Sequence, residues 1–284
     1  MERRHVDVVV ISDLHLGTFG CHAKEIVNYL NSISANLLIL NGDIVDGWQF
    51  SKRYFPASHL DVINAIFSLQ HNGTRVVYIT GNHDEFLRHY SDLNIGNFQL
   101  TDKLIIEIDG KLTWIFHGDV FDNTTKGSAK LLAKLGGHGY DMLILMNRFI
   151  NFSLQKLGKE KVSFSKKIKN SVKKAVRYIN DFEETAAALA IENKYDYVIC
   201  GHIHHPQQKI FANKHGKVNY LNSGDWIENL TSLEYYEHAW HIYHYCEEEF
   251  KEVAPPRSVP SKEVNVIKNE VDLFLTSLAL KTNL

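Results

Sequence analysis

Five short polar clusters, each directly following an apolar run, constrain this chain more than any other feature. In order they are Asp13-Leu14-His15, Gly42-Asp43-Ile44-Val45-Asp46, Gly81-Asn82-His83-Asp84, His117-Gly118-Asp119 and Gly201-His202-Ile203-His204. The runs before them, Val8 to Ile11, Leu37 to Leu40, Val76 to Ile79, Leu112 to Phe116 and Tyr197 to Cys200, are short and mostly aliphatic, so they read as buried strands. Ala23 to Leu30 and His59 to Gln70 carry apolar residues at helical spacing, which makes the alternation that of an α/β fold. Ile105 to Ile108 before Asp109-Gly110 reads as the first arm of a hairpin, and Val218 to Leu221 and Trp240 to Tyr245 as further strands. Loops at the carboxyl ends of strands in such sheets converge on one crevice. Clusters far apart in sequence can therefore meet in a single site.

The residue types in those loops fit one chemical demand. Carboxylate, carboxamide oxygen and neutral imidazole together suit divalent ions such as Mn²⁺, with Fe²⁺ or Zn²⁺ as alternatives. The donors suffice for two ions. A carboxylate shared by such a pair would help lower the pKa of a water between them and offset charge on a reacting phosphate. The glycines before Asp43, Asn82 and His202 are expected to let the backbone turn sharply beside the ions. Singly the signals are weak, since His117 could be a core histidine and Asn82 or Asp43 turn residues. Their joint order after five strand-like runs favours the chemical reading.

The set resembles the signature of the calcineurin-like metallophosphoesterase superfamily, D-x-H, G-D-x-x-D, G-N-H-[DE], H and G-H-x-H, over about residues 6–225. The resemblance implies a metallophosphoesterase-type β-sandwich flanked by helices, a four-layer αββα arrangement with a helical insertion. It also implies that Asp13, His15, Asp43 and His204 hold one ion and Asp43, Asn82, His117 and His202 the other. By the same resemblance His83 contacts the phosphate and assists the leaving group, with Asp84 as the acid that orients it. Within the superfamily the chain is most similar to the UDP-2,3-diacylglucosamine pyrophosphatase group, through Asp13-Leu14-His15-Leu16-Gly17, its length, and a helical stretch after His117-Gly118-Asp119. The best-known members of that group carry arginine where this chain has His83. A phosphodiesterase or phosphatase acting on nucleotides or phosphoproteins is the competing reading, and a non-catalytic metal-binding scaffold the remote one.

The segment 124–191 lacks strand signals and reads as a helical insertion or lid within a domain spanning 1–250. Tyr140 to Leu157 is apolar on nearly every face, whereas Lys156 to Arg177 holds nine basic residues and one acid, with Ile168, Val172, Val176 and Ile179 as an apolar stripe. That basic amphipathic pattern fits either a solvated face or a surface for anionic lipid. Pro255, Pro256 and Pro260 mark a linker, after which Val264, Ile267, Val271, Phe274, Leu275 and Leu278 pattern a tail helix, giving 251–284 as linker and tail. With 44% hydrophobic and 23% charged residues the chain is neither fibrous nor disordered, and a net charge of −2 gives no reason to expect nucleic acid as a partner. An odd number of well-separated cysteines, and an amino terminus too short and mixed for a signal peptide, point to the cytoplasm. A peripheral position on the inner membrane face fits the basic segment.

Overall fold

The structure is a computed structural model that describes residues 3–48, 54–121 and 166–250. The apolar stretch 140–157 and the linker and tail at 251–284 lie outside the described residues. The chain divides into two compact units, Met1–Cys246 and Glu247–Leu284. Of the second, the described part is a single 3₁₀ turn, Glu247–Phe250.

Strand β1 (Arg4–Ile11) shows how the architecture arises. Its side chains alternate between two apolar surroundings: Val9 and Ile11 point to one cluster, Val8 and Val10 to another. A strand buried on both faces needs cover on both, and these two clusters supply it. β1 pairs in parallel with β2 (Ile33–Asn41), which pairs in parallel with β3 (Arg75–Ile79). With β4 (Asn94–Ile95), β5 (Phe98–Thr101), β11 (Thr231–Tyr236) and β12 (Ala239–His244) they form a seven-stranded sheet in the order β12-β11-β1-β2-β3-β5-β4. The second sheet has five strands, β6 (Leu104–Ile108), β7 (Lys111–Ile115), β8 (Tyr197–Cys200), β9 (Gln207–Asn213) and β10 (Gly216–Asn222), in the order β6-β7-β8-β10-β9.

Three apolar clusters correspond to the three seams of a four-layer αββα sandwich, the architecture that the family resemblance implied. Helices α1 (Ala23–Ser32) and α2 (Ala57–His71) bury Ile26, Tyr29 and Leu30, and Val62, Ile66 and Leu69, against the outer face of the first sheet. Ile39, Val77 and Ile79 meet Ile115, Ile199 and Leu221 between the sheets. The third helix, α3 (Lys166–Glu192), lays Phe182, Ala186, Ala187 and Ala190 on Val198, Cys200, Val218 and Tyr220 of the second sheet. The later half of α3 thus forms the outer layer of the sandwich. Val176, expected in an apolar stripe, is exposed. Among the described residues no helix is long and apolar enough to cross a membrane.

Candidate metal centre

The polar clusters sit where β1, β2, β3, β7 and β8 end, and the loops are stitched to one another by backbone hydrogen bonds. Asp13 N donates to Gly42 O (3.0 Å), His15 N to Asp43 O (2.9 Å), Leu16 N to Ile44 O (2.8 Å), Asp46 N back to Leu16 O (2.9 Å), and Gly201 N to His117 O (2.9 Å). Within this lattice Asp13, His15, Asp43, His202 and His204 all hold left-handed backbone, with φ of 55°, 50°, 54°, 68° and 50°. For a residue with a Cβ that conformation costs about 1–2 kcal/mol and persists only where the surroundings impose it. The glycines serve partly another purpose than the sharp turn expected of them. Gly42 does adopt φ +80°, but Gly81 has no positive φ; a Cβ there would run into Asp43 Oδ1 and lie 2.9 Å from His117 Cδ2. Its requirement is space.

The loops gather their donors into three groups, Asp13/His15/His204, His15/Asp43/His83 and Asp43/His117/His202, with the donor atoms of each within 4.8 Å of one another. Asp13 Oδ1 lies 3.1 Å from His204 Nε2, and Asp43 Oδ2 lies 3.2 Å from His117 Nε2. Asp13, His15, Asp43 and His117 are all buried. Despite these short distances Asp13 Oδ1, His15 Nε2, Asn82 Oδ1 and His117 Nε2 are buried atoms without a partner in hydrogen-bond geometry. Burying such groups unpaired is costly, and donors left over on one side of several side chains at once are what a cation site requires. His117 gives the most specific indication. Its Nδ1–H donates to the Asn41 carbonyl (2.8 Å), so the neutral ring, the form that binds an ion, has its Nε2 lone pair on the Asp43 side. The residues present therefore fit divalent ions.

Electrostatics follow from the same crowding. Burial works against the charge of Asp13, but His204 more than offsets it and draws the carboxyl down to about 2. Burial likewise opposes protonation of His204, yet Asp13 outweighs it and raises the imidazole to about 9. Asp43 and His117 bias each other in the same two directions, again against the effect of burial.

His83 stands at the opening, with its side chain 22% exposed. Its expected partner is not where the sequence reading put it. Asp84 is fully buried and turned away: Oδ1 accepts from Gly81 N (2.5 Å), and Oδ2 from Ile44 N (2.9 Å) and the Tyr78 hydroxyl (2.6 Å). It ties the β2 and β3 loops together and does not orient His83. That place is held by Asp46, whose Oδ2 lies 3.0 Å from His83 Nδ1 and 3.4 Å from His15 Nδ1. Burial lowers the His83 pKa, but the contact with Asp46 and the field of Asp43 raise it on balance. Trp48 N donates to Asp46 Oδ1 (3.1 Å), Gly47 N donates to His83 O (2.8 Å), and the Trp48 ring covers the imidazole at a centroid distance of 4.1 Å. The sequence signal for Asp46 was present as the last acid of G-D-x-x-D; Trp48, two residues on, carried none.

Asp119, which follows His117, pairs with Arg88 (2.6 Å). Asn222 to Asp225 form a brace for the loop after β8: Asn222 Nδ2 donates to Gly201 O (2.8 Å), Ser223 Oγ meets Ser12 Oγ (2.7 Å), and Asp225 Oδ1 accepts from Ile227 N (2.8 Å).

The sequence pattern of a family described as calcineurin-like phosphoesterase matches residues 6–206. A UDP-2,3-diacylglucosamine hydrolase of Aliivibrio fischeri (strain MJ11) is 25% identical over 248 residues, covering 86% of this chain and 99% of that protein. A second, from Blochmanniella pennsylvanica (strain BPEN), is 24% identical over 235 residues, covering 81% and 92%. Among solved structures, a dimetal phosphatase from Danio rerio is 14% identical with a TM-score of 0.36, covering 84% of this chain and 98% of that one.

Proposed function

The chain belongs to the calcineurin-like phosphoesterase family, and from that premise we propose that it hydrolyses a pyrophosphate bond in a nucleotide-linked lipid of the UDP-2,3-diacylglucosamine type. The single observation that carries the chemistry is the position of Asp43. Its carboxylate takes part in two of the three donor groups, one with His117 and His202 and one with His15 and His83. In our reading Asp13, His15, Asp43 and His204 hold one divalent ion and Asp43, Asn82, His117 and His202 the other, with Mn²⁺ as the ion expected and Fe²⁺ or Zn²⁺ as alternatives. When bound, such a pair lowers the pKa of a water and offsets charge on the phosphoryl oxygens.

The remaining roles fall to this chain's own side chains. His83 shares a donor group with His15 and Asp43. We assign it to proton transfer, because its Nδ1 is turned to Asp46 and the rest of the ring stands at the opening. With Asp46 beside its Nδ1 to favour the cation, it would give a proton to the departing phosphate oxygen. Asp46 keeps the ring from swinging out, and Trp48 covers one face. Trp48 and Phe19 are 61% and 71% exposed, one on each of the two loops joined by the Leu16–Val45 bridge, and they offer apolar surface for the non-phosphate part of a substrate.

Two relatives named as UDP-2,3-diacylglucosamine hydrolases support the substrate class. His83, where the best-known members of that group have arginine, supports a second reading, a phosphodiesterase or phosphatase for nucleotides or phosphoproteins. Purified protein with Mn²⁺, offered UDP-2,3-diacylglucosamine, an aryl phosphodiester and nucleotides side by side, decides between them. A kcat/KM for the acylated substrate no higher than for the others refutes the first reading. The basic segment Lys156 to Arg177 is the part proposed to meet an anionic membrane surface from the cytoplasmic side.

A further inference from the structure

Helix α3 does more than cover the second sheet. Tyr178, Phe182 and Glu183 lie on one side of it, spaced i, i+4 and i+5, and all three reach the loop that carries His202 and His204. Tyr178 Oη is 3.4 Å from His202 Nε2, at the outer edge of hydrogen-bond distance. The Phe182 ring lies 6.1 Å from the His202 ring and 5.5 Å from that of Phe121. It comes this close because residue 118 is glycine: a Cβ there would be 2.9 Å from Phe182 Cε2. Glu183, buried, places Oε1 3.3 Å from His205 Nδ1 and Oε2 3.3 Å from Lys209 Nζ.

These contacts bear on one degree of freedom. The His202 backbone is fixed by its left-handed conformation (φ 68°) and by its N–H donating to Asp13 Oδ2 (3.1 Å). Packing against Phe182 then restricts where the ring can go. Shape alone does not separate the two faces of an imidazole, because a half-turn about Cβ–Cγ exchanges nitrogen for carbon at nearly the same volume. A polar partner at one nitrogen does separate them. His117 has such a partner in the Asn41 carbonyl at 2.8 Å.

We propose that Tyr178 is the positioning residue for His202: its phenol oxygen accepts the Nε2–H and so presents Nδ1 to the ion that Asp43, Asn82 and His117 share. This rests on the reading of His202 as a ligand given above. A ligand imidazole whose second nitrogen loses its hydrogen-bond partner binds its ion about 10–100-fold more weakly. The other ion would be held by Asp13, His15, Asp43 and His204, a set that does not include the imidazole beside the phenol.

Tyr178→Phe tests this, since it removes the hydroxyl and keeps the ring packing of α3. Metal-free wild-type and variant proteins are titrated with Mn²⁺ by calorimetry, their ion content is followed as chelator is raised, and their thermal unfolding is recorded without metal. The wild type is expected to take up two ions per chain. The variant should hold one of them about 10–100-fold more weakly, with the other unchanged and the metal-free Tm within a degree of wild type. Equal affinity of wild type and variant for both ions overturns the proposal. So does an equal weakening of both ions together with a lower metal-free Tm, which would make Tyr178 a packing residue only. Uptake of fewer than two ions by the wild type overturns the two-ion reading itself, and this inference with it.

Discussion

The placement of Asp84 turns an assumed role in catalysis into a quantity of stability. Its carboxylate accepts from Gly81 N, Ile44 N and the Tyr78 hydroxyl, all in the interior. Asp84→Ala leaves two backbone N–H groups and the Tyr78 O–H without acceptors, though the phenol oxygen keeps its bond from the Val45 backbone, and each buried donor left unmet costs about 1–3 kcal/mol. Against this stands a relief. Burial, and then the field of Asp43, raise the Asp84 pKa, so the fold already holds that carboxylate at some expense. The net loss therefore lies below the roughly 3–9 kcal/mol that three such groups cost by themselves, still a large part of the roughly 5–15 kcal/mol available to a typical domain. Tyr78→Phe removes one donor to a carboxylate that keeps two N–H groups, and takes the acceptor from the Val45 N–H, so about 1–2 kcal/mol is expected. Asp84→Asn should fall between the two. Urea unfolding of metal-free protein, followed by circular dichroism, gives the order directly. If Asp84→Ala unfolds within about 0.5 kcal/mol of wild type yet loses turnover with its ions in place, the bracing argument is wrong and Asp84 acts on the reaction.

Four further outcomes are expected. Asp43→Ala should bind substantially less metal by elemental analysis and lose nearly all turnover; full ion content with normal activity would remove the shared-carboxylate assignment. His83→Ala should keep its ions and lose turnover by roughly 10²–10⁴, and loss of metal would make it a ligand instead. Asp46→Asn takes away the contact that most raises the His83 pKa; because the acid form is the active one and is lost as pH rises through that pKa, the alkaline limb of the kcat–pH profile should move to lower pH, and an unmoved limb would dissociate the pair. Lys166, Lys167, Lys173 and Lys174 changed together to Glu should abolish low-salt binding to anionic vesicles while a small phosphodiester is still cleaved; equal vesicle binding by wild type and variant would assign the segment to solvent.

How far the sequence could be read depended on whether the information was local. β1, β2, β3, β7 and β8 are apolar runs ending in chemistry-bearing residues, so their existence and their carboxyl-end loops were legible. β11 was not, because Thr-Ser-Leu-Glu-Tyr-Tyr looks half polar; it is buried since Glu234 takes both Arg4 nitrogens (2.6 and 2.7 Å) and the Tyr29 hydroxyl (2.8 Å), partners about two hundred residues away in sequence. β9 is an edge strand with Ile210 left 68% exposed, which gives no pattern to find. In the candidate site, adjacency misled: Asp84 follows His83 in sequence, yet the acid that meets the ring is Asp46 from the neighbouring loop. Tyr178 follows directly on the basic stretch 156–177, whose pattern fitted either a solvated face or a lipid surface, while its hydroxyl lies 3.4 Å from His202 Nε2.

The left-handed backbone at Asp13, His15, Asp43, His202 and His204 also has a consequence for anyone who engineers this chain. Glycine takes that conformation without strain, so a directed-evolution campaign scored on thermal tolerance alone, with chelator in the buffer, would be drawn to glycine at those of the five whose side chains brace nothing. Its winners would be hardy and inert. Screening with Mn²⁺ present reverses the direction of selection, because ion binding stabilises the folded chain in proportion to the logarithm of ion concentration over Kd, and only chains that retain the strained donors gain from it.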